Sequence, residues 1–126
     1  MSVVNYMNLV FYDRHGRATA YTEDGENIYH FNGRPVAYIE ADTIYSFSGI
    51  QLGWFEDGWI RNLKGECVFF TENAVGGPIK PIRQIVPIKC VKQIRPIKQI
   101  KQLKRLKVIN SLSWSDHSGE SFFSFV

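Results

Sequence analysis

Residues 78–110 carry an aliphatic side chain at every third position, and this period restricts the backbone more than any other feature of the chain. Three residues advance an α-helix by about 300°, so the aliphatic side chains would wind around the helix and share no face. A β-strand alternates its side chains, so a period of three would send successive aliphatic residues to opposite faces. Pro81, Pro87 and Pro96 would also each cost a helix about 3 kcal/mol. The segment is therefore expected to form neither a regular α-helix nor a regular strand.

Polyproline II has three residues per turn, accepts proline and aligns every third side chain along one edge. A 3₁₀-helix has the same period but rarely continues beyond a few residues. In residues 78–113, here called the ladder, the position after the aliphatic residue is basic in nine of eleven triplets, with Val86 and Asn110 as the exceptions. We therefore predict an extended, polyproline II-like segment with an aliphatic edge and a basic edge. The aliphatic edge, here called the aliphatic row, consists of Ile79, Ile82, Ile85, Ile88, Val91, Ile94, Ile97, Ile100, Leu103, Leu106 and Ile109.

A row of aliphatic side chains this long is unfavourable in water. We expect the ladder to hide the row in one of two ways, either by folding over the rest of the chain or by pairing with the same ladder in other subunits. Burying even half of the row at about 1.5 to 3 kcal/mol per side chain would dominate the stability of so small a protein. We therefore predict a homo-oligomer.

A second repeat precedes the ladder. Its copies are marked by four glycines that stand 17, 16 and 16 residues apart, Gly16, Gly33, Gly49 and Gly65. Five residues before each glycine stands Phe or Ile, followed by tyrosine in three copies and by Arg61 in the fourth. Each copy is typical of a strand, a two-residue turn with glycine at positive φ, and a second strand. Because a lone hairpin is marginally stable, we predict a mainly β fold in which four pseudo-symmetric hairpins, about eight strands in a meander, share a core around a pseudo-fourfold axis.

These two repeats divide the chain into three parts. Residues 1–77 are predicted to form a four-hairpin β domain, residues 78–113 the ladder, and residues 114–126 a C-terminal tail that packs back on the β domain. The largely apolar residues 3–10 are expected to supply an additional strand. The tail is expected to return to the core through its aromatic side chains, Trp114, Phe122, Phe123 and Phe125.

The basic residues are concentrated in one part of the chain. Residues 78–110 contain ten of the fifteen Lys and Arg residues and no Asp or Glu, whereas the rest has five basic against twelve acidic residues. A basic segment of this kind is typical of binding to nucleic acid or to an anionic membrane surface. The acidic remainder and the lack of aromatic residues among the cations argue against nucleic acid, and a solubilising edge is the simpler interpretation. The candidate interaction residues are Lys80, Arg83, Lys89, Lys92, Arg95, Lys98, Lys101, Lys104 and Lys107.

Four glutamates recur at one position of the hairpin repeat, two residues after an aromatic residue: Glu23, Glu40, Glu56 and Glu72. Pseudo-symmetry could bring them together as an acidic ring that binds a cation or a basic peptide. Each also ends a strand at a turn, where carboxylates commonly cap amides or stay solvated, and this is the simpler interpretation. A third alternative is that they pair with the ladder cations, which contributes about 0 to 1 kcal/mol for each exposed pair.

The sequence indicates neither a metal site nor a catalytic site. The three histidines and the two cysteines form none of the close pairs typical of metal ligands. No nucleophile motif surrounds Cys67, Cys90 or Ser113, and Cys67 is expected to be a small buried apolar residue. We therefore expect a protein without enzymatic activity, catalytic residues, metal or cofactor.

The cysteines and the N-terminal residues also predict the compartment. Two cysteines without a repeated spacing provide no disulfide framework, and the first residues lack the basic start and apolar core of a signal peptide. No apolar run approaches the roughly 20 residues that cross a bilayer. These features predict a reduced, cytoplasmic protein without a transmembrane segment.

Several short motifs occur together in the chain: Gly16-Arg17-Ala18, Asp24-Gly25, Asn32-Gly33-Arg34-Pro35-Val36-Ala37-Tyr38, Leu52-Gly53-Trp54-Phe55, Asp57-Gly58-Trp59, Gly76-Gly77-Pro78 and Ser111-Leu112-Ser113-Trp114. With these motifs, residues 11 to about 114 resemble the 4-fold beta flower proteins, a small family of uncharacterised bacterial proteins. The resemblance implies a hairpin flower fold and no activity. The leading hypothesis is therefore a non-enzymatic structural or binding module that self-associates through the ladder, and the alternative is an anion-binding protein that uses the basic residues.

Overall fold

The computed structural model describes residues 8–117 and 119–124. Its elements are β1 (Leu9–Tyr12), β2 (Ala18–Thr22), β3 (Asn27–His30), β4 (Pro35–Glu40), β5 (Thr43–Tyr45), β6 (Gln51–Glu56), β7 (Trp59–Asn62), β8 (Cys67–Phe70) and α1 (Gly119–Phe122). Each strand pairs in antiparallel fashion with the next, and β8 pairs with β1, so the meander closes into a barrel. The prediction of a mainly β fold built from consecutive hairpins is confirmed. The closure, in which Tyr12 pairs with Phe70, goes beyond what the repeat predicted.

The centre of the barrel takes one residue from each strand. Side chains alternate between the two faces of a strand, so the residue before each outward-facing aromatic residue points inward. Within every hairpin an inward residue of the first strand faces one of the second: Phe11 faces Ala20, Ile28 faces Ala37, Ile44 faces Gly53 and Ile60 faces Phe69. Three of the four second-strand residues are small, because a narrow barrel has no room for eight large side chains. At Gly53 even a Cβ atom would overlap the carbonyl oxygen of Arg61.

The glycine-marked turns are three-residue loops, so the prediction of two-residue turns at these positions is wrong. In the second hairpin, the His30 N–H donates to the Arg34 carbonyl (2.9 Å) and the Gly33 N–H donates to the His30 carbonyl (3.0 Å). Gly33 has φ 92°, the left-handed conformation that follows a type I turn in such a loop. The Asn32 side chain accepts the Arg34 N–H (3.0 Å), and this additional hydrogen bond favours the longer loop.

Two of the three connections between successive hairpins are two-residue turns, whereas the first connection, residues 23–26, has four residues. Asp57 and Gly58 have φ 53° and 84°, as a type I′ turn requires, and they join the paired residues Glu56 and Trp59. Loops and turns alternate along the meander. The glycine-marked loops therefore gather at one end of the barrel and the connecting turns at the other.

The tail returns to the barrel after the ladder. Trp114 forms a parallel bridge with Cys67, which lies at the start of β8. Phe122 and Phe123 are buried in the main core cluster, where Phe123 stacks on Phe69 with 5.4 Å between the ring centroids. These contacts tie Trp114, Phe122 and Phe123 to the barrel.

Two expectations fall partly outside the described residues. The additional strand was expected over residues 3–10, of which residues 3–7 are not described, and residues 9 and 10 belong to β1 of the first hairpin. Phe125 of the tail is also not described. In the described ranges, the one helix has four residues and is far too short to cross a membrane.

Candidate functional site

The ladder follows the barrel from the first hairpin to the fourth. Its backbone N–H groups donate to the loop glycines in order: Gln84 to Gly16 (2.8 Å), Gln93 to Gly33 (2.8 Å), Gln102 to Gly49 (2.9 Å) and Ser111 to Gly65 (3.0 Å). These donors are nine residues apart, so three triplets span one hairpin. Residues 78–110 form neither helix nor strand, as the period of three predicted. Their polyproline II conformation stays a prediction.

The basic edge of the ladder faces the barrel. Outward-facing aromatic residues of neighbouring hairpins stack in pairs, Tyr21 with Tyr29 and Tyr38 with Tyr45, with 5.9 and 5.7 Å between the ring centroids. Cations lie over the rings as follows: Arg83 over Tyr12 (5.8 Å), Lys89 over Tyr21 (4.6 Å), Lys92 over Tyr29 (5.5 Å), Lys98 over Tyr38 (4.3 Å), Lys101 over Tyr45 (5.4 Å) and Lys107 over Trp54 (5.3 Å). Each such contact contributes about 0.5 to 2 kcal/mol, so together they hold the ladder against the hairpins.

Each of the four repeated glutamates lies beside ladder cations. The ion pairs are Glu23 with Lys89 (3.0 Å) and Lys92, Glu40 with Lys101, Glu56 with Lys107 (3.6 Å), and Glu72 with Arg83 (3.4 Å). In the structure, the four carboxylates thus pair with the ladder cations, which is the third of the alternatives given above. One glutamate lies between each two neighbouring hairpins. In residues 8–117 and 119–124, no group of three or more His, Cys, Asp and Glu side chains is placed to hold a metal ion.

These contacts shift the protonation equilibria of both partners. Hydrogen bonds from Lys92 and Lys89 lower the pKa of Glu23, and a hydrogen bond from Lys101 lowers the pKa of Glu40. The same bonds raise the pKa of Lys92 and of Lys101. The contribution of these carboxylates to the free energy of unfolding is present above the ordinary glutamate pKa, and it is lost as the pH falls through the lowered pKa of the folded protein. The lysine contribution is lost only as the pH rises through the raised value, so the contacts are complete across the neutral range.

The aliphatic row faces solvent along its whole length. Its eleven side chains are between 89% and 96% exposed. The expectation that the row folds over the hairpins is therefore wrong, because the other edge of the ladder makes that contact. The outer surface of the barrel beneath the ladder offers aromatic rings and carboxylates, which bind cations, whereas most aliphatic side chains of the strands lie in the central core cluster. Pairing of the row with the same row in other subunits stays a prediction.

The fourth hairpin departs from the repeat at two positions that compensate each other. Arg61 stands where the other hairpins have tyrosine, and Asn110 stands where the ladder should have a cation, nine residues after Lys101. The buried guanidinium of Arg61 donates from Nη1 to the carbonyl oxygens of Gly65 (2.8 Å) and Ser111 (2.5 Å). A lysine at residue 110 would place a second cation next to Ser111, whose carbonyl the Arg61 guanidinium binds, and the two cations would repel each other. This explains together two exceptions that the sequence presents separately.

Arg61→Tyr and Asn110→Lys are expected to be strongly non-additive. The first change removes the hydrogen bonds to two carbonyl groups, and the second brings another cation towards the buried guanidinium, so each alone should destabilise the protein. The double variant recreates the tyrosine–lysine contact of the second and third hairpins. Urea unfolding of the four proteins should give a coupling free energy of about 1 to 2 kcal/mol, and a value below about 0.5 kcal/mol would show that the two positions are independent.

Sequence reasoning missed the correspondence between the ladder and the hairpins. The remaining candidate cations are placed as follows: Lys80 donates to the Ala74 carbonyl (2.8 Å), Lys98 pairs with Glu26 (2.6 Å), Lys104 pairs with Asp42 (3.4 Å), and Arg95 is exposed on the ladder. Neither Glu26 nor Asp42 recurs in all four hairpins, so the repeat did not single them out. The available signal was the nine-residue spacing of Pro78, Pro87 and Pro96, which predicts three triplets per hairpin.

The histidines and cysteines lie on different elements of the structure. Cys67 is fully buried, as predicted, and burial raises the pKa of its thiol. Cys90 is exposed on the ladder. His30 is half-buried with its ring edge-on to Phe123, 5.5 Å between the centroids, and burial lowers the pKa of its imidazole.

Comparison with known proteins adds one finding to this geometry. The family described as 4-fold beta flower protein matches residues 10–123. This range includes the whole ladder and all four hairpins except Leu9, the first residue of β1. Searches of the curated proteins and of the solved structures found no match.

Proposed function

We propose that this chain, which belongs to the 4-fold beta flower family, is a non-enzymatic structural module. The module self-associates through the aliphatic row. The description of the family names no reaction or ligand. The observation that carries the proposal is the exposure of all eleven side chains of the row, at 89% to 96%. The barrel and the basic edge act as the scaffold that presents this row.

The size of the row supports an interface. Full burial of an aliphatic side chain is worth about 1.5 to 3 kcal/mol, which at about 25 cal/mol per Å² makes the row an apolar surface on the order of 1,000 Å². The largest apolar patch on a typical monomer is about 300 to 600 Å². A standard protein interface takes about 800 Å² from each partner. Because the row passes all four hairpins of a closed barrel, one partner covers only part of the row and the surface beside it.

A second copy of the chain is the partner that the row fits best. Its own row has the same three-residue period, so the side chains of two rows can interdigitate over several triplets. The lysines that would otherwise repel between two basic ladders are turned towards the acidic residues of their own hairpins. Among the described residues, three ladder cations form no ion pair, Lys80, Arg95 and Arg105, so most of the repulsion between two ladders is removed.

The same contacts weaken the anion-binding alternative. Seven of the nine candidate interaction residues lie in ion pairs with acidic residues of the hairpins: Arg83, Lys89, Lys92, Lys98, Lys101, Lys104 and Lys107. A nucleic acid or an anionic membrane would have to compete with these carboxylates. We accordingly favour self-association, and we place the protein in the cytoplasm on the strength of its unpaired cysteines, Cys67 and Cys90.

Sedimentation velocity tests the proposal directly. The full chain, studied from about 1 to about 100 μM, is expected to form a discrete oligomer whose fraction rises with concentration. Sulfate should strengthen the association, because excluded salts favour burial of apolar surface. A protein that sediments as a monomer at every concentration and at high sulfate would refute self-association.

A further inference from the structure

Three clefts repeat around the barrel, each between two neighbouring hairpins. Each is bounded by the start of a second strand, the loop of the next hairpin and one ladder residue. The equivalent residues are Ala18, Phe31 and Pro87 in the first cleft, Pro35, Phe47 and Pro96 in the second, and Gln51, Leu63 and Arg105 in the third. The volumes are about 450, 340 and 420 Å³, within the range of small-molecule sites. The ladder residues are nine apart, so the clefts are copies of one feature.

The third cleft departs from the other two in its chemistry. Gln51 and Arg105 replace the pair Pro35 and Pro96 of the second cleft, and the Arg105 N–H donates to Gln51 Oε1 (2.8 Å). Gln51 is 1% exposed, and its Nε2 is buried without a hydrogen-bond partner. Leaving a buried amide donor unpaired costs about 1 to 3 kcal/mol. Ala18 and Pro35 stand at the position of Gln51 in the other clefts, and Pro87 and Pro96 stand at the position of Arg105, so this polar pair distinguishes the third cleft.

The lining of the third cleft is apolar at its base and cationic at its rim. Leu52, Val68 and Phe122 supply buried apolar side chains. Lys64 and Arg105 are exposed at the opening, and within the described residues neither side chain forms an ion pair. The Glu66 carboxylate in the same lining is held by the Asn62 amide (3.0 Å). Positive charge at the rim is therefore available to a ligand.

We propose that the third cleft binds a small organic carboxylate that carries an apolar body. The apolar body lies on Leu52, Val68 and Phe122, and the carboxylate pairs with Arg105 and Lys64. A carboxylate suits this site because the exposed Arg105 guanidinium and Lys64 ammonium can both donate to it, and charged donors make strong hydrogen bonds. This site is separate from the aliphatic row and does not depend on self-association.

Calorimetric titration of the full chain with 3-phenylpropionate tests the site. The acid is expected to bind. The affinity of its neutral amide, 3-phenylpropionamide, should be lower by about tenfold or more, because the amide cannot form ion pairs with the cations. Arg105→Gln keeps the backbone hydrogen bond to Gln51 and should weaken binding of the acid about tenfold. Arg95→Gln, a matched change at an exposed ladder arginine outside the cleft, should leave binding unchanged. Hydrogen exchange of residues 62–68 should slow when the acid binds.

Three results would overturn the proposal. The first is no heat of binding up to about 10 mM acid. The second is equal affinity for the acid and the amide, which would show adsorption to apolar surface. The third is equal binding by the two arginine variants. Loss of self-association would not change any of these measurements. The proposal of carboxylate binding and the proposal of self-association can therefore be refuted independently.

Discussion

Gly33→Ala is expected to lower the free energy of unfolding by about 3 kcal/mol or more, one of the two largest effects that the structure predicts. Gly33 has φ 92°, a conformation that an alanine adopts only with strain. A Cβ atom at this position would also overlap the carbonyl oxygen of Val91 in the ladder. The alanine side chain therefore both strains the loop and displaces the ladder from the loop. Denaturant unfolding measures the loss.

Gly76→Ala is the matched control for this change. Gly76 has φ 78°, similar to Gly33, but nothing lies within 4 Å of the Cβ atom that alanine would add. Its cost is expected to be the backbone strain alone, about 1 to 2 kcal/mol. Hydrogen exchange at Gln93, which donates to the Gly33 carbonyl, should rise in Gly33→Ala and stay unchanged in Gly76→Ala. Equal destabilisation by the two variants would contradict docking of the ladder on the loops.

The triple variant Ile94→Ser, Ile97→Ser and Ile100→Ser is expected to abolish self-association. Burial of three isoleucines is worth about 4.5 kcal/mol at the low end, so the affinity should fall by about three orders of magnitude. The folded monomer should lose little, because each side chain is at least 89% exposed. Surface changes of this kind usually alter stability by less than about 0.5 kcal/mol each. Sedimentation and the unfolding midpoint, measured on the same samples, separate the two effects.

Val75→Ser and Leu112→Ser form the control pair for the row. Both residues are exposed and apolar, at 64% and 72%, but neither belongs to the row. A double variant at these positions should sediment like the unmodified protein. If the triple row variant also does so, the row is not the interface. If both variants dissociate, the association follows general surface hydrophobicity rather than the period of the row.

Local sequence patterns predicted most of the fold. Four glycines at nearly equal spacing, each flanked by β-branched and aromatic residues, predicted four hairpins, because strand propensity and turn chemistry act over a few residues. The alternation of inward Ile28 and outward Tyr29 follows from the geometry of any strand. The length of the loops was misjudged, because glycine takes a positive φ both in a two-residue turn and after the type I turn of a three-residue loop.

The candidate site was only partly accessible to sequence reasoning. The cations, the glutamates and the aliphatic row were all identified, and pairing between the first two was one of three alternatives. Their true combination depends on the nine-residue correspondence between ladder and hairpin, which requires that the ladder travel around a closed barrel. The exchange of charge between Arg61 and Asn110 could be recognised only after these two distant positions were brought together.

Residue order alone established a chain of hairpins followed by a segment that cannot be an α-helix, because periods of two and three are incompatible with 3.6 residues per turn. Folding settled which edge of that segment turns inward. An extended segment has no preference of its own, and it follows what the surface beneath it can bind. Here that surface consists of stacked rings and carboxylates, and it exists only when the strands have closed and sent their aliphatic residues to the centre.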